Sequence, residues 1–178
     1  MAVNATAAAL LGLLRDGAAS GYELAQRATA ELGDFWTVTR SQVYRELTGL
    51  ADQGLVEVGQ TGARSRREHR LTASGRVAFR EWLAAEPGAD VVRIPLLLRL
   101  AFADELDPAR LRELVSTQRA AHAERLARYR ELEAAALATG GTDRDLVTLR
   151  FGLRYEEAVL RWFDEELGPG GWVSGRRG

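Results

Sequence analysis

The chain has 178 residues, of which 46% are hydrophobic and 28% are charged, a composition typical of a globular protein. It contains no cysteine, which excludes disulfide bonds and thiolate chemistry, and all 24 basic residues are arginine, which excludes lysine chemistry. The 25 acidic residues leave a net charge of −1, but this charge is unevenly distributed. Residues 36–80 hold eight arginines against four acids, whereas the parts before and after are net negative. Such a basic segment suits a nucleic-acid-binding surface.

No stretch approaches the roughly 18 consecutive apolar residues of a membrane-spanning helix. The apolar opening of the chain also lacks the basic residues and the cleavage pattern of a secretory signal. Frequent alanine, arginine and glycine fit a GC-rich bacterial genome. We therefore expect a bacterial, cytoplasmic protein without a membrane partner.

The first predicted elements are three helices. The first runs from Ala5 to about Arg15. Ser20 stands three residues before Glu23, the spacing of a reciprocal helix cap, and predicts a second helix from about Gly21 to Leu32. Thr39 is a suitable N-cap for a third helix that ends near Gln53. The apolar residues of this third helix recur at helical spacing and predict its buried stripe: Val43, Leu47 and Leu50.

A β-hairpin and a fourth helix follow. The β-branched stretch Leu55 to Val58 predicts a short strand, and a polar turn leads to a second extended stretch from Ser65 to Leu71. Thr72 caps a fourth helix that reaches about Ala85. Three helices, a hairpin and a helix within 85 residues describe a winged helix-turn-helix, in which the hairpin is called the wing.

The break Glu86-Pro87-Gly88 predicts a boundary between a DNA-binding domain, residues 1–86, and a helical domain, residues 87–178. The second domain is predicted to hold a short apolar helix from Ile94 to Phe102 and two long helices. Asp107-Pro108 begins the first long helix, which extends to about Ala138, and the last helix spans Asp143 to Leu167. The predicted fold is therefore mostly α with a small β-hairpin wing.

The third helix and the wing carry the predicted DNA-binding residues. Arginine, glutamine and serine near the N-terminus of a helix reach base edges in the major groove, and threonine hydroxyls there hold phosphate. Arginines at a wing tip lie along phosphates or enter the minor groove. An ordinary solvated face is the alternative for the helix alone. The candidates are Thr37, Thr39, Arg40, Ser41, Gln42, Tyr44 and Arg45 around the helix and Arg64, Ser65, Arg66 and Arg67 in the wing.

Three stretches resemble the PadR family of transcriptional regulators: LLGLLRDGAASGYEL, FWTVTRSQVYRELTGLADQGLVEV and GARSRREHRLTASGR, within residues 6–84. The helices that follow resemble the C-terminal dimerisation domain of the larger PadR-like proteins, which is similar to virulence-activator α C-terminal domains. The resemblance implies a repressor that binds an inverted repeat of double-stranded DNA as a homodimer.

By position, the resemblance implies that the family's recognition face falls on Ser41, Gln42, Tyr44 and Arg45, and its basic wing on Arg64, Arg66 and Arg67. Tyr22 matches a tyrosine of the second helix that lies near phosphate, with a packing role as the alternative. The sequence departs from the family's wing, which commonly has a proline followed by basic and tyrosine residues. Those places hold Ser65, Glu68 and His69.

The last helix is apolar on two adjacent sides, so we expect both sides to be buried. One neighbouring helix of the same chain covers only part of this surface, and a second copy of the chain would cover the rest, which predicts a homodimer. A larger core within one chain is the alternative. One stripe consists of Leu146, Leu149, Leu153, Leu160, Phe163 and Leu167, and the other of Val147, Phe151, Tyr155, Val159 and Trp162. The interface is expected to include Leu146, Leu149, Leu153, Tyr155, Val159, Leu160, Trp162 and Phe163, together with Leu10 of the first helix.

In PadR-like proteins the response to a ligand is often linked to the dimer interface, so the resemblance implies a pocket for a small aromatic or hydrophobic effector. Several large aromatic residues are candidates for its lining, with ordinary core packing as the alternative. They are Trp82, Phe102, Tyr129 and Trp162. With only His69 and His122 and no cysteine, the sequence provides no metal-ligand cluster and no nucleophile–base pair. We therefore expect no catalytic residues, no cofactor and no enzyme. A winged-helix protein–protein adaptor without DNA binding remains an alternative function.

Overall fold

The computed structural model describes residues 3–32, 35–61, 67–89 and 92–168. Their contacts divide the chain into two compact units, Met1–Ala89 and Asp90–Gly178, here called the N-terminal and the C-terminal unit. None of the helices in the described ranges is long and apolar enough to cross a membrane. The same residues contain no group of three or more histidine, aspartate or glutamate side chains placed to hold a metal ion.

The described residues of the N-terminal unit form four α-helices and three short strands. In chain order they are α1 (Ala5–Leu13), β1 (Ala19–Ser20), α2 (Gly21–Leu32), α3 (Arg40–Asp52), β2 (Val56–Thr61), β3 (Arg67–Leu71) and α4 (Ala73–Ala84). A 3₁₀ turn, Leu14–Asp16, follows α1. The helix starts agree closely with the sequence prediction because each follows a polar side chain that caps it. Asn4 Oδ1 accepts from Ala7 N at 2.9 Å, and Thr72 Oγ1 accepts from Gly75 N at 2.9 Å.

The end of α3 explains why β2 begins at Val56 and not at Leu55 as predicted. Gly54 adopts a φ of 69°, and its N–H donates to Ala51 O at 2.9 Å while Leu55 N–H donates to Leu50 O at 2.9 Å. These two bonds form a Schellman motif, in which a glycine in the left-handed conformation closes the helix. Because Leu55 N–H donates to the end of α3, it does not take part in the strand ladder, and β2 begins one residue later.

The three strands form one antiparallel sheet in the order β1-β3-β2. In the ladder between β2 and β3, Val56 pairs with Leu71 and Val58 with His69, and the register shifts between Val58 and Thr61. The sequence did not predict β1, whose two residues are too few to show alternation. Ala19 pairs with His69 on the second edge of β3, so the hairpin is fastened to the start of α2.

The N-terminal core lies among α1, α2 and α3, closed on one side by the sheet. Its fully buried side chains are Leu10, Leu11, Leu14, Leu24, Val43, Leu47 and Leu50. The predicted stripe of α3 is therefore confirmed. Gly75 lets the start of α4 approach the backbone of Leu55 closely, because a Cβ there would lie 2.1 Å from Leu55 O.

The C-terminal unit consists of α5 (Pro95–Leu100), a 3₁₀ turn (Ala103–Glu105), α6 (Pro108–Ala138) and α7 (Asp143–Glu166). Helix α5 is shorter than the predicted Ile94 to Phe102, because Pro95 fixes its first turn and Ile94 is extended. Helices α6 and α7 pack as an antiparallel pair, since Arg119 bonds Asp164 at one end and Arg150 bonds Glu133 at the other.

Candidate nucleic-acid interface

Helix α3 begins with a capping box formed by Thr39 and Gln42. Thr39 Oγ1 accepts from Gln42 N at 3.3 Å, and Gln42 Oε1 accepts from Thr39 N at 2.8 Å. Two N–H groups at the helix start thus find partners. The outward side chains that follow are Arg40, Ser41, Tyr44, Arg45 and Thr48, all exposed, whereas Gln42 is half-buried by its capping role. The predicted reading set of α3 therefore lies on the surface, apart from the capping oxygen of Gln42.

Tyr22 and Arg40 join the N-termini of α2 and α3. The guanidinium of Arg40 lies 5.0 Å from the centre of the Tyr22 ring, a cation–π distance. The Tyr22 hydroxyl accepts from Gln26 Nε2 at 3.1 Å, and Tyr22 as a whole is about two-fifths exposed. The contact limits the rotamers of Arg40 while its N–H groups keep their capacity to bind a phosphate.

The ring of Tyr44 packs against the backbone of Gly21. A Cβ on Gly21 would lie 2.5 Å from the Tyr44 ring, so the ring rests directly on the backbone at the start of α2. Half of Tyr44 is nevertheless exposed. This packing sets the position of α3 relative to α2.

Two further candidates on α3 make only weak contacts. Arg45 Nη2 lies 3.2 Å from Glu46 Oε1, and 71% of the Arg45 side chain is exposed, so solvent screens this ion pair and the guanidinium can leave it. Ser41 Oγ lies 3.1 Å from Thr39 Oγ1. Thr37 is exposed in the segment between α2 and α3.

The wing contributes Arg67, which is exposed at the start of β3. Arg64, Ser65 and Arg66 lie outside the described residues. His69 is nine-tenths buried, and burial lowers its pKa, so the imidazole is neutral at neutral pH and adds no charge to the wing. The described hairpin carries two exposed arginines, Arg67 and Arg70, beside two exposed glutamates, Glu57 and Glu68.

A concave surface of about 560 Å³ lies between α3, the start of α2 and the wing. Tyr22, Tyr44 and Thr48 line one side, and Val58, Arg67 and His69 line the other. Asp52 is the acidic residue among its described lining. The fold thus brings Tyr22, Tyr44 and Arg67, which lie far apart in the sequence, to a single surface. We call this surface, together with the outward side of α3, the reading surface.

The structure corrects several predicted dimer contacts. Leu10 is fully buried in the N-terminal core, and Leu153 and Phe163 are buried in clusters of their own unit, so their side chains are not available to a partner. Leu146 is also buried within the chain. Leu149 and Leu160 are half-buried in the cluster that contains Tyr129. Helix α6 covers this stripe because the two helices are antiparallel neighbours.

The second stripe of α7 is largely uncovered within the chain. Val147 is 62% exposed, Phe151 68% and Tyr155 40%. The rings of Phe151 and Tyr155 lie 6.5 Å apart and nearly parallel. Such an exposed apolar strip on a long helix is typical of a protein interface. Val159 and Trp162, at the far end of the stripe, are half-buried.

The C-terminal unit contains a cavity of about 670 Å³ between α5, α6 and α7, here called the C-terminal cavity. Its apolar wall includes Val159, Trp162 and Phe163, and Trp162 packs edge-on against Phe163 at 5.1 Å. Of the aromatic residues predicted for an effector pocket, Trp162 lines this cavity. Tyr129 is instead buried against Gly152, and Trp82 and Phe102 are exposed and absent from its lining.

The ionisable side chains other than tyrosine that line the C-terminal cavity are all basic among those described: Arg93, Arg99, Arg125 and His122. Arg125 and His122 share the buried carboxylate of Glu156, which bonds Arg125 Nη1 at 2.9 Å and His122 Nδ1 at 2.5 Å. Arg93 and Arg99 have no ion-pair partner in the described part of the chain. The cavity therefore combines an apolar wall with unneutralised positive charge.

Helices α1 to α4 with the hairpin form a winged helix-turn-helix, and the protein has the architecture of a two-unit regulator of this class. The model of the PadR-like family of transcriptional regulators matches residues 10–81, and that of the virulence activator alpha C-terminal domain matches residues 92–168. A probable transcriptional regulator of Mycobacterium tuberculosis is 31% identical over 175 residues, which cover 88% of this chain and 93% of that protein.

Solved structures agree with this assignment. The structure of Bacillus subtilis PadR in complex with operator DNA has a TM-score of 0.75 and 25% identity, covering 91% of this chain and 97% of PadR. The structure of the same protein with p-coumaric acid has a TM-score of 0.67 and 25% identity, covering 89% and 90%. The chain belongs to the PadR-like family of transcriptional regulators, in the larger form with a C-terminal helical unit.

Proposed function

We propose that this protein represses transcription by binding an inverted-repeat operator as a homodimer. The observation that carries the proposal is the reading surface, on which an N-terminally capped helix, two tyrosines and Arg67 of the wing face the same side. A similar fold holds operator DNA in Bacillus subtilis PadR, a negative transcriptional regulator. Both observations support the same interpretation.

The reading surface divides into two kinds of contact. Arg45 and Ser41 stand on the outward side of α3, where side chains meet base edges in the major groove. Tyr22, Arg40 and Arg67 stand at its borders, where hydroxyl and guanidinium groups meet phosphates. Base contacts then select the sequence, and phosphate contacts fix the register of the protein on the duplex.

The exposed α7 stripe supports pairing of two chains. An isologous interface, which uses the same patch on both copies, gives a two-fold axis and therefore an inverted repeat of half-sites. Two recognition helices on such a dimer occupy successive major grooves on one face of the DNA. Steric occlusion of a promoter follows from this placement.

Arg45→Ala and Arg67→Ala are expected to weaken DNA binding in different ways. Loss of a base contact at Arg45 lowers discrimination between the operator and point-changed operators by about 1–3 kcal/mol. Loss of a phosphate contact at Arg67 weakens binding to all sequences and reduces the slope of log affinity against log salt by about 1. Fluorescence anisotropy with operator and random duplexes at several salt concentrations measures both.

Arg80→Ala is the matched control, since Arg80 is exposed on α4 and absent from the reading surface. It is expected to leave affinity and discrimination nearly unchanged. Equal losses on operator and random DNA from Arg45→Ala contradict base reading by this residue. Failure of the unaltered protein to bind any DNA at low salt supports the protein–protein adaptor instead.

We also propose that a small organic carboxylate with an apolar body binds in the C-terminal cavity and releases the DNA. The proposal is supported by the apolar wall and by Arg93 and Arg99, which face the cavity without counter-charges in the described residues. A charge-assisted hydrogen bond from either arginine orients the carboxylate, and Trp162 packs against the apolar body. The p-coumaric acid complex of Bacillus subtilis PadR supports this class of ligand.

Arg99→Gln is expected to weaken the binding of p-coumarate by roughly 10- to 100-fold, the value of one hydrogen bond to a charged group. Titration calorimetry with p-coumarate and with its uncharged alcohol measures the effect, and only the acid is expected to bind the unaltered protein. Arg112→Gln, an exposed arginine of α6 outside the cavity lining, is the control. Equal binding of acid and alcohol contradicts recognition of the charge.

A further inference from the structure

Gln42 stands at the reading end of α3, but one of its two polar atoms is already occupied. Its Oε1 accepts from Thr39 N at 2.8 Å and from Thr39 Oγ1 at 2.9 Å. Because a backbone N–H only donates, the side-chain atom facing it must be the amide oxygen, which fixes the orientation of the amide group. The acceptor side of Gln42 is therefore used by the helix cap.

The amide nitrogen of Gln42 has no hydrogen-bond partner among the described residues. Side chains in the first turn of a recognition helix are the ones that reach base edges. Gln42, at the third position of α3, thus presents two N–H donors and no acceptor to a ligand on this side. A glutamine side chain whose amide oxygen is not used by a helix cap would instead present a donor and an acceptor together, the pattern that matches adenine.

Reading adenine with both amide atoms would require Gln42 to leave the cap. Thr39 N–H would then lose its partner, and a cap of this kind stabilises a helix roughly 2- to 30-fold in the folding equilibrium. The four bases differ in what they present to a donor alone. In the major groove guanine presents two adjacent acceptors, thymine one beside its methyl group, adenine one beside a donor, and cytosine a donor only.

We infer that Gln42 acts as a donor-only specificity residue and selects guanine at one position of each half-site. The inference rests on the proposed function, because it assumes that α3 enters the major groove. The capping box thereby has two roles. It begins the helix, and it sets the hydrogen-bond character of the side chain that follows.

Gln42→Glu tests the inference without removing the cap. A glutamate at this position closes the same capping box, as Glu23 does with Ser20 at the start of α2, where Ser20 N donates to Glu23 Oε2 at 2.8 Å. The variant has no N–H donor, and its carboxylate accepts from cytosine. The melting temperature is expected to stay close to that of the unaltered protein, which confirms that the cap persists.

The experiment selects bound duplexes from a random DNA pool with the unaltered protein and with the Gln42→Glu variant. The expected change is from guanine to cytosine on the same strand at one position of each half-site, by about 5- to 100-fold in relative affinity. The added negative charge weakens binding to all sequences alike and cancels in this ratio. Glu23→Gln, the same exchange reversed in the other capping box, is the matched control and should leave every base preference unchanged.

Three outcomes overturn the inference. The unaltered protein selects adenine at the position that changes in the variant, or both proteins select the same bases at every position, or the Glu23→Gln control changes the same position. In each of these cases specific binding persists and the proposed function stands. If the unaltered protein enriches no sequence at all, the proposed function fails and the inference fails with it.

Discussion

Phe151→Asp is expected to convert the dimer into a monomer. Phe151 is 68% exposed at the centre of the uncovered α7 stripe, between Val147 and Tyr155, each one helical turn away. Burying a phenylalanine side chain stabilises an interface by about 1.5–3 kcal/mol. A two-fold interface contains the residue twice, so the loss is roughly 3–6 kcal/mol, before the cost of burying the new charge. The dimer dissociation constant then rises by roughly 10²- to 10⁴-fold.

Size-exclusion chromatography with light scattering measures this change across protein concentration. Thr117→Asp adds the same charge at an exposed position of α6 outside the stripe and is expected to leave the dimer intact. The Phe151→Asp monomer is expected to bind a single half-site as before but to lose the added affinity of the inverted repeat. A variant that retains the mass of a dimer contradicts the assignment of this face.

The reading surface shows which parts of the fold the sequence predicts and which it does not. The start of α3 was predicted because Thr39 precedes an apolar repeat, and that signal is local. Its proximity to Tyr22 and Arg67 depends on the sheet, including β1, whose two residues leave no periodic signal. Thr39 and Gln42 have the same three-residue spacing as Ser20 and Glu23. This spacing also predicts the second capping box, but only the box of Ser20 and Glu23 was predicted.

The dimer prediction illustrates a different limit. Apolar periodicity identified both stripes of α7, but it does not say which stripe faces the neighbouring helix and which faces another chain. Leu153 and Phe163 pack in clusters with residues of α6, whereas Phe151 of the other stripe is exposed. Likewise, Tyr129 was predicted in a pocket, but Gly152 opens a space for its ring inside the helix pair. Both outcomes depend on which helix faces are apposed, which a single sequence does not record.

The buried carboxylate of Glu156 links stability to ligand binding in the C-terminal unit. Glu156 is 2% exposed and bonds both His122 and Arg125, whose other sides line the cavity. Glu156→Leu leaves Arg125 without this partner, and breaking a buried pair in this way is expected to lower the free energy of unfolding by about 3–5 kcal/mol. Glu156→Gln keeps an acceptor for Arg125 and should cost less, about 1–3 kcal/mol. Urea titration followed by circular dichroism measures both.

Glu156→Gln is also expected to strengthen the binding of p-coumarate, although it weakens the fold. Removing the negative charge behind the cavity wall makes the electrostatic potential in the cavity more positive toward an anion. Glu157→Gln is the matched control, because Glu157 is the adjacent carboxylate but pairs with Arg130 and Arg154 at the surface, where a hydrogen bond from Arg130 lowers its pKa. That variant should change neither quantity appreciably. Weaker p-coumarate binding in a folded Glu156→Gln variant contradicts the role of cavity charge, since the apolar wall is the same in both proteins.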